Sequence, residues 1–274
     1  MLKANYHTHT MLCNHATGMP KDIVEKAIAC GYEELGFSEH NPVPVKFVGI
    51  DKYFSFKCNR NMSYDVFENV YLPKLDECIA EYKDKIKIYK GLECEFISDQ
   101  LDYYKNLRSK VDYLNLGLHF FKDGETVYNS YYDVTYKNID KYVKTAVEAI
   151  KTGLFKIFVH PDVYMFSYKD EDGKRTFDEH CLKAARTIIE TCIEHNIYLE
   201  MNINGINNSR KFSKDGTILY PEIEFWKIVK EYPEAKVIFG VDAHSLEALD
   251  NDDIKVVEDM AKSIELNVLT KVEI

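Results

Sequence analysis

The regular alternation of two kinds of segment is the feature of this sequence that most constrains its fold. Short runs rich in Val, Ile, Leu, Phe and Tyr are each followed by a stretch with the apolar spacing of a helix. This pattern indicates βα units arranged around a parallel sheet. Seven strands are predicted, at Leu2–Tyr6, Glu34–Ser38, Ile86–Glu93, Val111–Leu118, Lys156–Val159, Ile197–Asn202 and Lys236–Val241.

Helix signals lie between these strands. In MPKDIVEKAIACG, Pro20 stands near a helix start and Gly31 follows the helix end. No linker, internal repeat or change of composition divides the 274 residues. We therefore expect one domain spanning residues 1–274, an α/β chain folded as a closed or nearly closed parallel barrel. The other predicted helices are Tyr64–Tyr82, Asp99–Ser109, Asn138–Lys151, Asp178–Glu194, Pro221–Glu231 and Ser245–Leu266.

Charge and composition limit the partners. The formal net charge of −10 disfavours nucleic acid as a partner, since an acidic surface repels the phosphate backbone. No apolar stretch approaches the length of a spanning helix and the start lacks a secretory signal, which predicts a cytoplasmic protein with no membrane partner. The seven scattered cysteines, without a CxxC pair, favour reduced thiols. The oligomeric state is not evident from the sequence.

Two long segments interrupt the alternation. Asn41–Asn61 follows the second predicted strand and Pro161–Thr176 follows the fifth. Loops at the carboxyl ends of parallel strands usually shape a pocket, although each could instead be a surface excursion packed on its own aromatic residues.

Ionisable side chains follow six of the seven predicted strands at the same end of the sheet. These ends converge on one mouth of a parallel barrel, where active sites are built. Imidazoles and carboxylates gathered there indicate a divalent metal site, because the ions supply the positive charge that organises such buried groups. The alternative is a coincidental polar mouth. The candidate ligands are His7, His9, His15, His40, Glu93, His119, His160, Asp242 and His244.

The spacing of these residues supports the metal interpretation. Residues two apart on a strand point to the same face, so His7 and His9 can reach one ion, and Asp242 and His244 repeat that spacing. The two oxygens of Glu93 could bridge two ions.

Several motifs also resemble those of the PHP (polymerase and histidinol phosphatase) superfamily. They are YHTHT, FSEHNP, GLECEF, GLHF, VHPD and GVDAH, which occur in the family order over nearly the whole chain. The resemblance implies a distorted (β/α)7 TIM-like barrel and three divalent ions, of zinc, iron or manganese. It assigns the first ion to His7, His9, Glu93 and Asp242, the second to Glu93, His119 and His160, and the third to His15, His40 and His244.

Within the superfamily, the chain looks most like the histidinol-phosphate phosphatases. The resemblance implies a phosphomonoester substrate, L-histidinol phosphate, attacked by a hydroxide between two ions, with Glu93, Asp242 and His9 as catalytic residues. The LEMNINGI segment departs from the usual family form at Asn204 and Gly205. Another phosphoester substrate, including a nucleotide or a phosphodiester, is the alternative, and a non-catalytic metal-binding protein is a third reading.

Arginine is scarce, with five in the chain, so an arginine in a mouth loop is a candidate phosphate clamp. Arg210 and Arg175 fit this description, and the alternative for each is a solvated loop charge. Arg60 could enter from the first long loop. The aromatic residues of that loop, Phe47, Tyr53, Phe54 and Phe56, could form an apolar wall for an imidazole, or could serve packing alone.

Overall fold

Seven parallel strands form one sheet in this protein. The computed structural model describes residues 2–42 and 61–274. In chain order the seven strands are β1 (Ala4–Asn5), β2 (Glu34–His40), β3 (Lys87–Cys94), β4 (Tyr113–Leu116), β7 (Ile157–Phe158), β8 (Tyr198–Asn202) and β9 (Val237–Gly240), and each pairs with the next. A separate antiparallel hairpin, β5 (Phe120–Asp123) and β6 (Thr126–Asn129), follows β4.

The first and last strands meet just beyond their carboxyl ends. Thr8 and Ala243 form a parallel bridge, with His9 N donating to Ala243 O at 2.9 Å and Ala243 N donating to His7 O at 3.2 Å. The sheet is thus nearly closed into a barrel, as predicted. The two segments that close it are those that carry the HxH and DxH motifs.

Helices cover the outside of the sheet. Most of them turn buried apolar residues inward at helical spacing, as Ile139, Tyr142, Ala146 and Ile150 do in α4. Before α5, the Asp178 side chain accepts from two backbone amides and caps the helix. The helices are α1 (Pro20–Ala29), α2 (Leu72–Tyr82, preceded by Tyr64–Val66 and the π-helical Phe67–Tyr71), α3 (Leu101–Arg108), α4 (Ile139–Lys151), α5 (Glu179–Glu194), α6 (Asn204–Phe212), α7 (Ile223–Lys230) and α8 (Asp253–Ser263).

Three features differ from the sequence prediction. Helix α6 was not predicted, because Ile206 is the one large apolar residue that it buries, and Arg210 therefore lies in a helix and not in a loop. The β5–β6 hairpin was not predicted, since most of its residues are partly exposed and their pattern is weak. The predicted helix Ser245–Leu266 is a 3-10 turn, Leu246–Asp250, followed by α8, and extended Asn251 separates them.

A compact group of side chains separate from the helix-facing core lies on the other face of the sheet. It takes residues in or next to six of the seven strands, together with Val272, and these residues alternate along the strands with those that face the helices. The Tyr113 hydroxyl lies 2.8 Å from Phe37 O and 2.9 Å from Tyr6 O. This group fills the amino end of the barrel and leaves the carboxyl end for a site. Its members are Ala4, Tyr6, Tyr89, Tyr113, Ile157, Val159, Tyr198, Ile238 and Val272.

The second long loop is fixed by buried polar contacts. Arg175 donates to Met165 O at 3.2 Å and Leu219 O at 3.0 Å, and it pairs with Glu222. Asp162 accepts from Glu222 N at 2.6 Å and from Trp226 Nε1 at 3.0 Å. These bonds tie the loop to the start of α7.

The remaining sequence predictions concern the first long loop, the cysteines and the membrane. The aromatic residues Phe47, Tyr53, Phe54 and Phe56, together with Arg60, lie outside the described residues. The six cysteines in the described ranges are free thiols. Among the helices placed in residues 2–42 and 61–274, none has the length and apolar character to cross a bilayer.

Replacement of Arg175 by alanine tests the loop contacts. Glu222 would lose its cationic partner while remaining largely buried, so we expect R175A to lower the free energy of unfolding by about 1–3 kcal/mol. R186A is the matched control, since Arg186 pairs with half-exposed Glu231 and should change stability by no more than about 1 kcal/mol. Thermal unfolding followed by circular dichroism compares the two. Equal melting temperatures would contradict the structural role of Arg175.

Candidate metal centre

The buried carboxylate of Glu93 lies at the centre of the carboxyl end of the barrel. Its Oε1 is 2.8 Å from His160 Nε2 and 3.4 Å from His119 Nε2. Its Oε2 is 3.2 Å from His40 Nδ1, 3.4 Å from His9 Nε2 and 3.5 Å from His7 Nε2. The two oxygens therefore face two different sets of imidazoles, the arrangement required of a bridging ligand.

Asp242 completes the set on the Oε2 side. Its Oδ1 lies 3.4 Å from His7 Nε2, 3.3 Å from His9 Nε2 and 3.3 Å from His244 Nδ1. Its backbone is left-handed, with φ of 52°, and that of His160 has φ of 35°. Such conformations cost free energy in residues other than glycine and are found most often at functional sites.

The described residues fit a cation at this position. The Nε2 atoms of His7 and His9 are buried and have no hydrogen-bond partner among the residues that the structure describes. Two ligand atoms that are each about 2.1 Å from a tetrahedral ion lie about 3.4 Å apart, which matches the separations from these nitrogens to Glu93 and Asp242. An unpaired buried nitrogen is costly, and coordination would satisfy it.

The remaining candidate ligands lie next to this group. His15 Nε2 and His244 Nε2 are 2.9 Å apart, and ligand atoms of His9, His40 and His244 lie within 4.8 Å of one another. Glu93 and the eight other residues predicted as ligands thus form one continuous cluster. The donor set of imidazoles and carboxylates is that of a divalent metal centre.

Three carboxylates that the sequence analysis missed hold the histidines from behind. Glu200 Oε2 lies 2.8 Å from His7 Nδ1, and Glu39 Oε1 lies 3.3 Å from His9 Nδ1. Glu95 Oε1 lies 2.6 Å from His119 Nδ1. Such contacts orient metal-binding imidazoles and direct Nε2 towards the ion.

Sequence signals for these three carboxylates existed. Glu39 precedes His40, Glu95 lies two residues after Glu93, and Glu200 lies within the one predicted strand to which no ligand was assigned.

Two glycines make room for the carboxylates. A Cβ on Gly117 would lie 2.3 Å from Glu93 Oε1, and a Cβ on Gly240 would lie 2.0 Å from Glu200 Oε2. Any side chain at either position would displace a carboxylate of the cluster.

The charges of the cluster are strongly coupled. Burial alone would raise the pKa of Glu93, but His119 and His7 hold that pKa well below its usual value. Burial likewise opposes ionisation of Asp242, whose pKa is held well below its usual value by His7 and His244. Burial and the neighbouring His9 lower the pKa of His244 to about 3. These directions favour ionised carboxylates and a neutral His244 around neutral pH.

A cavity of about 660 Å³ opens above the cluster. His15, His40, His119, His244, Glu93 and Asp242 form part of its wall. Aromatic residues form another part, Tyr131, Tyr132, Phe166 and Phe212. Its volume is in the range of small-molecule sites.

The two arginines predicted to bind substrate do not line this cavity. Arg175 contacts Glu222, and Arg210 Nη2 lies 2.5 Å from Asp253 Oδ1. The cation in the described cavity wall is Lys211, which follows Arg210 directly and was not predicted. Substrate binding by the arginines stays a prediction.

The parallel barrel and the donor set define a metal-binding protein whose centre opens into a small-molecule cavity. The PHP domain family matches residues 5–204, and the chain belongs to that family.

Among its relatives, the histidinol-phosphatase of Bacillus subtilis (strain 168) is 25% identical over 269 residues, covering 89% of this chain and 94% of the relative. The histidinol-phosphatase of Lactococcus lactis subsp. lactis (strain IL1403) is 34% identical over 93 residues, covering 34% of this chain and 29% of that protein. A solved structure of the histidinol phosphate phosphatase from Lactococcus lactis, complexed with zinc, L-histidinol and phosphate, has a TM-score of 0.70 at 19% identity and covers all of both chains. This structural similarity supports the barrel fold.

Removal of the charge behind His7 tests the role of the outer carboxylates. We expect E200Q to weaken zinc affinity about 10- to 100-fold, because the imidazole loses the anion that orients it. Competition with a chelator measures the affinity. E190Q is the control, since Glu190 accepts from Tyr232 on the surface, away from the cluster. Wild-type affinity in E200Q would show that Glu200 does not support metal binding.

Proposed function

We propose that this protein is a metal-dependent phosphomonoesterase that hydrolyses L-histidinol phosphate to L-histidinol and phosphate. The observation that carries the proposal is the two-sided environment of Glu93, whose oxygens face separate sets of histidines beneath a small-molecule cavity. The names of the Bacillus and Lactococcus relatives support the choice of substrate.

We propose three divalent ions at the cluster, of zinc, iron or manganese. His7, His9, Glu93 and Asp242 would hold the first. Glu93, His119 and His160 would hold the second, and His15, His40 and His244 the third. Three such ions with two carboxylate ligands leave a net charge of about +4, which suits a phosphomonoester dianion.

The bound ions would neutralise charge on the phosphoryl group and lower the pKa of water for the attack. The residues of the chain would hold the ions in position and orient the substrate. Asp242 Oδ2, which lies 3.2 Å from Asn204 Nδ2, belongs to the cavity wall and is the atom that we assign to proton transfer. Glu93, whose two oxygens face separate sets of histidines, and His9, on the Oε2 side, would help to hold the ions in place.

The proposal includes three further predictions, on the kind of partner, the location and the number of domains. The net charge of −10 supports a small substrate over nucleic acid. We also keep the cytoplasmic location and the single domain over residues 1–274 as predictions.

The first test is phosphate release from four substrates with added zinc or manganese. L-histidinol phosphate, p-nitrophenyl phosphate, a nucleoside monophosphate and a phosphodiester are compared by kcat/KM. We expect a strong preference for L-histidinol phosphate. Faster cleavage of the diester or the nucleotide would reject the proposed substrate and place the activity elsewhere in the family.

Loss of a carboxylate ligand should remove both metal and activity. We expect E93Q and D242N to lose at least one ion per chain, because the neutral amide is a poor ligand, and to lose about 100-fold or more in kcat. Elemental analysis of the purified variants gives the stoichiometry independently of turnover. H180A, on α5, should match the wild type in both. Full metal content in E93Q would refute the bridging role.

A further inference from the structure

Two aromatic side chains at the rim of the cavity are unusually exposed. Tyr132 is 62% exposed and Phe212 is 54% exposed, and both belong to the cavity wall. Phe166 lies between them, with ring centroids 6.2 Å from Tyr132 and 5.5 Å from Phe212, both in edge-to-face geometry. The three residues come from the segment after β6, the second long loop and the end of α6. We call them the rim cluster.

Phe166, the inner residue of the rim cluster, is held by packing. Phe166 also contacts Tyr131 at 5.2 Å and Tyr220 at 6.0 Å, and Tyr131 stacks on His119 at 5.9 Å with an angle of 11°. A continuous set of rings therefore leads from the metal centre to the rim.

Within residues 2–42 and 61–274, no packing contact explains the exposed outer faces of Tyr132 and Phe212. Exposed aromatic rings beside a cavity cost free energy in water and are typical of surfaces that contact a ligand.

The charged neighbours narrow the chemistry of that ligand. Asp133 follows Tyr132 and Lys211 precedes Phe212, and both line the cavity. Asp133 is held in place, since Asn129 N donates to its Oδ2 at 2.7 Å. The rim thus presents aromatic rings beside one carboxylate and one ammonium group. A ligand that carries both a planar ring and an ammonium group complements the aromatic rings and the carboxylate.

We propose that Tyr132 and Phe212 are specificity-determining residues that hold the ring of the alcohol half of the substrate. This inference rests on the proposed function, under which the ring is the imidazole of L-histidinol phosphate and the phosphate lies at the metal centre. Phe166 supports both rings from behind. The substrate would extend from Glu93 to the rim.

The test compares a substrate with a ring and one without. L-histidinol phosphate and phosphoethanolamine both carry a phosphate and an ammonium group, but only the first has an aromatic ring. We expect F212A and Y132A each to lower the ratio of kcat/KM between these substrates about 2- to 10-fold, mainly through KM for L-histidinol phosphate. F212Y should restore the ratio and F212L should not. L101A, which removes an exposed apolar residue of α3, is the control.

Each outcome decides the proposal. An unchanged ratio in both alanine variants, or full rescue by leucine, would overturn it. Calorimetric titration with L-histidinol gives a readout independent of turnover, and weaker binding to F212A than to wild type is expected. If the wild type prefers p-nitrophenyl phosphate, the proposed substrate fails. The ring contact is then judged by the p-nitrophenyl phosphate to phosphoethanolamine ratio, whose fall in F212A supports it and whose constancy refutes it.

Discussion

The burial of a carboxylate among imidazoles is the constraint on which the rest of this structure depends. Glu93 is 2% exposed, and an ionised carboxylate in such a place requires compensating positive charge. Five histidines approach it from the ends of four different strands or from the segments that follow them. A parallel barrel supplies this arrangement because all its strands end at one rim. The fold and the chemistry of the centre are therefore consequences of the same geometry.

Three outer carboxylates lie behind the histidines that contact Glu93. Glu200, Glu39 and Glu95 each contact the far side of an imidazole, so each of these rings has a carboxylate on both sides. Gly240 keeps room for Glu200, and Asn202 Nδ2 donates to its Oε1 at 2.8 Å. A substitution of one of these outer carboxylates would act on the centre without changing a proposed metal ligand.

Much of the fold could be predicted from the sequence, because the strand and helix periods are strong where elements are buried on one or both faces. The positions of His7, Glu93 and Asp242 followed from the strand ends. Helix α6 could not be predicted, since it buries little, and neither could the partner of Arg175, which depends on contact with Glu222 across 47 residues. The rim cluster likewise assembles from three distant segments whose individual patterns are ordinary.

The bridge between Thr8 and Ala243 gives the barrel a seam, formed by the segments that carry His7, His9, Asp242 and His244. A cation bound to these residues would link the two segments across the seam. The folded state would gain stability with rising free metal concentration, because the unfolded chain has no preformed centre. A low concentration of free metal would then reduce the stability of the folded protein as well as its activity. The fraction of folded protein in a cell would depend on the supply of the ion.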